Sequence, residues 1–173
     1  MGRGSTFFVR IATGDLTEVR LIREPLEAIR STPSRGVPVS VDLHERQILV
    51  VDDGDLNRRL IRVILERAGA LVDAAENGVI AVEKVSQNQY DAVLMDMQMP
   101  VLDGYSATRQ LRSEGHSLPI FALTANAMAG DREKCLEAGC SGYISKPVDM
   151  DALVSTLHDA FQSEVAEMQT AGV

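Results

Sequence analysis

From Gln47 to about residue 162, short apolar runs alternate with amphipathic stretches five times, and no other feature of the chain narrows its fold as much. The apolar runs cover 48–51, 71–74, 92–95, 119–123 and 142–145, each bounded by Gly, Asp or Asn. Runs this short and this apolar suit strands buried on both faces, as in a parallel sheet covered by helices. Between them lie helical patterns over 56–68, 78–87, 105–113, 128–138 and 149–162; in the first, Leu60, Ile61, Ile64 and Leu65 share one face. Gly69, Gly115 and Gly139 each follow a helical stretch, where a left-handed residue closes the helix cheaply, and Asp55 and Asp149 stand where a helix cap is wanted. The expected fold is α/β, a (βα)5 doubly wound parallel sheet over residues 47–162.

The rest of the chain reads differently. Pro25, Pro33, Pro38, Gly14 and Gly36 interrupt any long element, so 14–46 is expected to be a linker with at most a short helix at 25–30. Residues 163–173 form a tail. With 45% hydrophobic and 24% charged residues the composition is that of a soluble globular chain, and no apolar run approaches the roughly eighteen residues of a membrane span. The start lacks a secretory signal, and a cytoplasmic location is the expectation. Cys135 and Cys140 match no zinc or CxxC spacing and are expected to be free thiols. Residues 1–46 carry seven Arg and six acids, leaving ten basic and nineteen acidic residues in 47–173, a balance that argues against nucleic acid as a partner.

A doubly wound sheet binds its ligands beyond the carboxyl ends of its strands. There the pattern places Asp52 and Asp53 after the first strand, Asp96 after the third, Thr124 after the fourth and Lys146-Pro147 after the fifth. An Asp-Asp pair alone is more often a helix cap on a solvated loop, and a lone lysine a surface charge. Their convergence on one rim with a hydroxyl is what points to chemistry. Three carboxylates oppose one another's ionisation unless a cation joins them. Mg2+, with oxygen ligands that include one or two carboxylates and phosphate oxygens, suits the set, with Asp53 and Asp96 as the direct ligands. Asp96 then has the surroundings of a carboxylate nucleophile toward phosphorus, with Lys146 and Thr124 directed at the transferring oxygens.

These positions fall in four ordered stretches: Ile48-Leu49-Val50-Val51-Asp52-Asp53; Asp91-Ala92-Val93-Leu94-Met95-Asp96-Met97-Gln98-Met99-Pro100 with Asp103-Gly104; Ala122-Leu123-Thr124-Ala125; and Gly142-Tyr143-Ile144-Ser145-Lys146-Pro147. On them the chain resembles a two-component response-regulator receiver domain. The resemblance implies a flavodoxin/CheY-like sheet in the order 2-1-3-4-5 and Asp96 as phosphoacceptor from a phosphohistidine. It also implies Mg2+ held by Asp52, Asp53, Asp96 and the backbone carbonyl of Gln98. Thr124 and Tyr143 become a switch pair that reshapes the surface around the fourth helix, fifth strand and fifth helix, and Lys146–Pro147 a cis bond. Such a domain catalyses its own phosphorylation and dephosphorylation. Its implied partners are a histidine kinase or a histidine-phosphotransfer protein, docking near Leu56, Arg58 and Arg59, and the resemblance also admits a dimer. Gly54 departs from the family, which often has Asn or another polar residue there.

The segment Gly2-Arg3-Gly4-Ser5-Thr6-Phe7-Phe8-Val9-Arg10-Ile11 resembles the last glycine box and following strand of a histidine-kinase ATP-binding domain. It implies that 1–13 end such a domain and that the chain is the carboxy-terminal piece of a hybrid sensor kinase, without the kinase's catalytic parts. Three rival readings fit parts of the pattern. A haloacid-dehalogenase-type phosphatase needs an acid two residues after its nucleophile, where this chain has Gln98. A flavodoxin needs a Ser/Thr/Gly phosphate loop after the first strand, where Asp52-Asp53-Gly54-Asp55 would repel phosphate. A phosphorylation-independent pseudo-receiver keeps the fold but leaves the intact acid set unexplained. His44-Glu45 sits in a Pro-broken segment rather than on the long helix that a phosphorylated histidine occupies, and Met95, Met97 and Met99 read as packing.

Overall fold

The computed structural model describes residues 43–125 and 129–170. Ten elements alternate: β1 (Gln47–Val51), α1 (Asp55–Arg67), β2 (Leu71–Ala75), α2 (Gly78–Gln87), β3 (Ala92–Asp96), α3 (Gly104–Ser113), β4 (Ile120–Thr124), α4 (Ala129–Glu137), β5 (Gly142–Ser145) and α5 (Met150–Thr170). The strands form one parallel sheet in the order β2-β1-β3-β4-β5. A parallel pair needs a crossover, and a right-handed crossover puts its helix on one face. Because the order reverses between β1 and β3, successive helices divide between the two faces, and a crevice opens at the carboxyl ends of those strands.

The two-residue period of a strand sorts the core. Ile48, Val50, Leu94, Phe121 and Leu123 face Ile61 and Leu65 of α1 and Leu153, Leu157 and Phe161 of α5. Leu49, Val51, Val93, Met95, Ile120 and Ala122 face Val82 and Val85 of α2, Ala107 and Leu111 of α3 and Cys135 of α4. Each such aliphatic side chain, taken fully from water, contributes about 1.5–3 kcal/mol before chain entropy is set against it. Met97 and Met99 pack in the same core, and Cys135 and Cys140 are buried free thiols. Burial pushes the Cys140 thiol up to about 11.

Local signals end α1, α3 and α4 where the sequence placed them, whereas α5 runs on from its expected end at 162 through most of the expected tail to Thr170. Gly69, Gly115 and Gly139 have φ of 93°, 89° and 98°, the left-handed region that favours glycine. Asn77 and Asp103 accept from Ile80 N–H (3.1 Å) and Ser106 N–H (2.8 Å), and Asp149 accepts from the N–H groups of Asp151 (3.0 Å) and Ala152 (3.1 Å). Asp55 is different: Gly54 takes the cap position and Asp55 begins the helix, where it pairs with Arg59 at 3.0 Å. Its charge still favours the positive end of α1. The folded unit also reaches upstream of Gln47. Leu43 is buried, its N–H donates to Ala68 C=O (2.9 Å), and Arg46 bonds Asp91 (2.8 Å) while lying 4.7 Å from the centre of the Phe161 ring. The expected kinase tail 1–13 and all but the last four residues of the expected linker 14–46 lie outside the described residues. No described helix is long and apolar enough to cross a membrane.

Arg112 fastens the far side of the sheet. Its guanidinium donates to three carbonyls, those of Gly139 (2.9 Å), His116 (2.7 Å) and Leu118 (2.9 Å), joining the end of α3 to the approaches of β4 and β5. Hydrogen bonds from a charged donor contribute about 1.5–3 kcal/mol each at most, and neighbours in one network do not add fully. Arg112→Ala is therefore expected to lower stability by about 2–4 kcal/mol in urea unfolding, with Arg112→Lys recovering less than half, since a single ammonium cannot span three acceptors. Equal stability of the alanine variant and the wild type would show that the three bonds contribute nothing.

Candidate functional site

The crevice at the strand ends is lined by carboxylates because two neighbouring strands, β1 and β3, finish there at aspartates. Asp52 follows β1, Asp53 is the next residue, and Asp96 is the last residue of β3, paired in register with Leu123 of β4. Asp52 is fully buried and Asp96 nearly so, while Asp53 is exposed. One oxygen from each of the three lies within 4.8 Å of the others. Lys146, just past β5, reaches between two of them, its Nζ donating to Asp52 Oδ2 at 2.8 Å and to Asp96 Oδ2 at 2.7 Å. Thr124, the last residue of β4, is buried beside them, and Lys146–Pro147 is cis.

The electrostatics follow from burial. Removal from water pushes the Asp96 carboxyl above its ordinary range, a shift that Asp52 reinforces and that the bonds from Lys146 and Gln98 N–H only partly offset. Burial works against charge on Lys146, but its hydrogen bonds to both carboxylates outweigh it and hold the ammonium above its ordinary range. One ammonium among three carboxylates leaves the rim electronegative, and Asp53 has no hydrogen-bond or ion-pair partner among the described residues. Clustered oxygen donors with excess negative charge are the donor set of a hard divalent cation.

Further residues hold this arrangement, and the sequence reading had not singled them out for it. Asp52 Oδ1 accepts from Gly54 N–H at 2.8 Å, Asn57 Nδ2 lies 3.3 and 3.4 Å from the two Asp52 oxygens, and Arg58 Nη1 donates to the Asp52 carbonyl at 2.6 Å. Asn57 and Arg58 stand in the first turn of α1, so a helix beginning at Asp55 turns them back toward the strand end; that spacing was the available signal. Gly104 is the second case. A Cβ there would collide with the Asp96 carbonyl oxygen, so only glycine lets α3 start against the end of β3. Gln98 N–H donates to Asp96 Oδ1 at 3.1 Å, which holds that loop against the carboxylate. Tyr143, two residues behind Ser145 on the outer strand β5, is about one-third exposed at 37%, with the Arg132 guanidinium 5.9 Å from its ring centre. Beside the rim a cleft of about 270 Å³ is walled by Asp52, Asn57, Leu60, Lys146, Pro147 and Met150.

A (βα)5 sheet in the order 2-1-3-4-5 with acids after β1 and β3, a hydroxyl after β4 and a lysine after β5 defines a receiver-type signalling domain. The profile of the response regulator receiver domain matches residues 48–158, and the chain belongs to that family. It is 40% identical over 143 residues to the sensor histidine kinase RcsC of Escherichia coli (strain K12), covering 82% of this chain and 15% of that protein. The chain thus spans a small part of the curated relatives it matches. Among solved structures it resembles the receiver domain of sensor histidine kinase PA1611 from Pseudomonas aeruginosa PAO1, described with magnesium coordinated in the active site cleft. That match has 44% identity and a TM-score of 0.62, covering 66% of this chain and 96% of that one. It also resembles the complex of the Saccharomyces cerevisiae histidine phosphotransfer protein Ypd1 with the receiver domain of Ssk1, at 28% identity and a TM-score of 0.63, covering 66% and 87%.

The opposing effects on Asp96 can be separated. In the presence of a chelator, Lys146→Met is expected to move the Asp96 carboxyl further up, because burial and Asp52 both disfavour its charge and the main opposing partner is gone. Following the Asp96 carboxyl carbon by NMR through a pH titration measures this. A midpoint that stays put or falls would mean that Lys146 does not hold the charge.

Proposed function

We propose that Asp96 is the phosphoacceptor of a two-component phosphorelay, taking a phosphoryl group from a phosphohistidine of a histidine kinase or histidine-phosphotransfer protein. The observation that carries this reading is the Lys146 ammonium bonded at once to Asp52 and Asp96, beside the unpartnered carboxylate of Asp53. The phosphorus–nitrogen bond breaks as a phosphorus–oxygen bond forms to an Asp96 oxygen, and the imidazole leaves. Gln98 N–H and Lys146 orient the Asp96 carboxylate for that attack. Lys146 stays to offset charge on the transferring oxygens, and Thr124 donates a hydrogen bond to one of them. Mg2+, held by Asp52, Asp53, Asp96 and the Gln98 carbonyl, supplies further charge neutralisation on the phosphoryl group when bound. The magnesium described for the PA1611 receiver domain supports this choice of ion.

Thr124 and Tyr143 form the switch pair: the hydroxyl moves toward the phosphoryl group and the exposed ring of Tyr143 turns inward, changing the surface of α4, β5 and α5. The histidine-phosphotransfer complex of the Ssk1 receiver domain supports a protein partner of that kind; by the family resemblance it docks over the first turn of α1 around Leu56, Arg58 and Arg59. Leu56, 70% exposed, offers the apolar surface such a contact needs. Similarity to RcsC supports a hybrid sensor kinase as the parent. Residues 1–13 then end its ATP-binding domain and the stretch from 14 links it to the receiver, whose packing takes in Leu43–Arg46 ahead of the expected start at 47 and whose last helix runs past the expected end at 162 to Thr170, and the domain works in the cytoplasm.

Incubation with acetyl phosphate followed by intact-mass spectrometry tests the chemistry. One added phosphoryl group is expected with Mg2+, with loss of most of the signal on chelation and none in Asp96→Asn. Folded, Mg2+-binding wild type that gains no mass would favour a phosphorylation-independent interaction module.

A further inference from the structure

Among the described residues β2 is an outer strand of the sheet, and its sequence, Leu-Val-Asp-Ala-Ala, carries a 57% exposed Leu71. An outer strand with apolar exposure is a template for a strand from another molecule. Which backbone groups are free follows from its pairing with β1. Leu71 N–H donates to Arg46 C=O at 2.8 Å and Ala75 C=O accepts from Asp52 N–H at 3.3 Å. In a parallel ladder alternate residues face the same neighbour, so Leu71, Asp73 and Ala75 turn their backbone groups to β1, and Val72 and Ala74 turn theirs outward.

The two inner groups of that outward edge are taken by side chains. Val72 C=O accepts from Arg62 Nη2 of α1 at 3.2 Å, and Ala74 N–H donates to Asp73 Oδ1 at 2.8 Å. The helices on both faces contribute. Arg62 comes from α1, while the other Asp73 oxygen is fixed by Lys84 of α2 at 2.7 Å and the Tyr90 hydroxyl at 2.8 Å. The Arg62 position is not one its other contacts would choose. Its Nε is buried without a hydrogen bond, 3.8 Å from Glu66 Oε1, so the guanidinium reaches Val72 while one of its donors goes unpaired. A strand arriving parallel or antiparallel needs both Val72 C=O and Ala74 N–H for a regular ladder.

We propose that Arg62 and Asp73 lock the β2 edge against pairing with β2 of a second copy of this chain. Such pairing would be isologous about a two-fold axis and hence antiparallel, and the exposed Leu71 side chains would add apolar contact to it. The lock leaves the carboxylate rim untouched, so phosphotransfer and edge protection are separable.

Amide exchange and light scattering on the full chain test it. The Ala74 amide of the wild type, an outward-facing group on an outer strand, is expected to exchange about tenfold or more slowly than an unstructured amide. Asp73→Ala restores rapid exchange there and Arg62→Ala does not. The Arg62→Ala/Asp73→Ala double variant, folded by circular dichroism and still phosphorylated by acetyl phosphate, is expected to form a concentration-dependent dimer at concentrations where the wild type does so less. Should the double variant not fold, Arg62→Met/Asp73→Val, which frees the same two backbone groups with side chains suited to a helix and a strand, carries the same expectation. A wild-type Ala74 amide that exchanges at the unstructured rate, or a folded variant that dimerises no more than the wild type, overturns the proposal.

Discussion

An ammonium held between two buried carboxylates is the contact on which the working end of this domain depends. Lys146 comes from the far end of β5, Asp52 from β1 and Asp96 from β3, so one side chain ties together three of the five strand ends. Such a triad is a weak source of stability, since the charges give up hydration that their attraction only partly returns. Its value is positional. The carboxyl that burial pushes up is kept beside a cation, and the third carboxylate stays exposed and uncompensated, so the crevice is balanced only when another positive charge enters. That imbalance is of the kind a divalent cation relieves: a positive charge entering the crevice would offset a repulsion already built into the fold.

The remainder of the structure supplies the rigidity this needs. β1, β3 and β4 lie inside the sheet with both faces covered, so the strand ends bearing Asp52, Asp96 and Thr124 are set by packed side chains on either side. α3 begins hard against Asp96 because residue 104 has no side chain, and Arg58 fixes the Asp52 carbonyl from the first turn of α1. β5 is different. It is an outer strand with much of its surface exposed, and Tyr143 stands on it with its ring partly in solvent. The acids sit on the covered interior strands and the aromatic on an exposed outer one, so under the proposed switch a charge change at the rim would be answered at the margin rather than in the core.

Much of this was legible in the sequence, for identifiable reasons. Strands of four or five mostly apolar residues and helices of nine or more have different periods, so the order of elements followed from spacing, and the strand-end positions of Asp96, Thr124 and Lys146 followed from that order. The sheet order came from the resemblance, because periodicity does not say which strands are neighbours. What local patterns missed depends on three-dimensional proximity. Asp55 looks like a cap in sequence, but the chain turns one residue earlier and Gly54 takes the position without a side-chain bond. Residues 43–46 read as the end of a linker because four residues carry no period, yet Leu43 finds a place in the core and Arg46 finds Asp91 and Phe161, partners far along the chain. Arg112, Arg62 and Asn57 were unremarkable polar residues on helices until the strands brought their acceptors close.

With Arg46 on the Asp91 carboxylate as the exception, those long-range contacts show a division of labour between the two basic residue types. Arg112 holds three carbonyls, Arg62 holds Val72 C=O and Arg58 holds Asp52 C=O; in each, a planar fork meets backbone acceptors at the end or edge of an element. Lys84 and Lys146 instead meet carboxylates end-on. A guanidinium loses its charge under no ordinary condition and spreads several donors over fixed angles, which suits a permanent fastening of backbone. An ammonium is a compact point charge on a flexible stem, able to keep its charge while changing which oxygen it contacts. At Lys146 that property matters most, because under the proposed phosphotransfer a group arriving on Asp96 would share the ammonium with the carboxylates that hold it now.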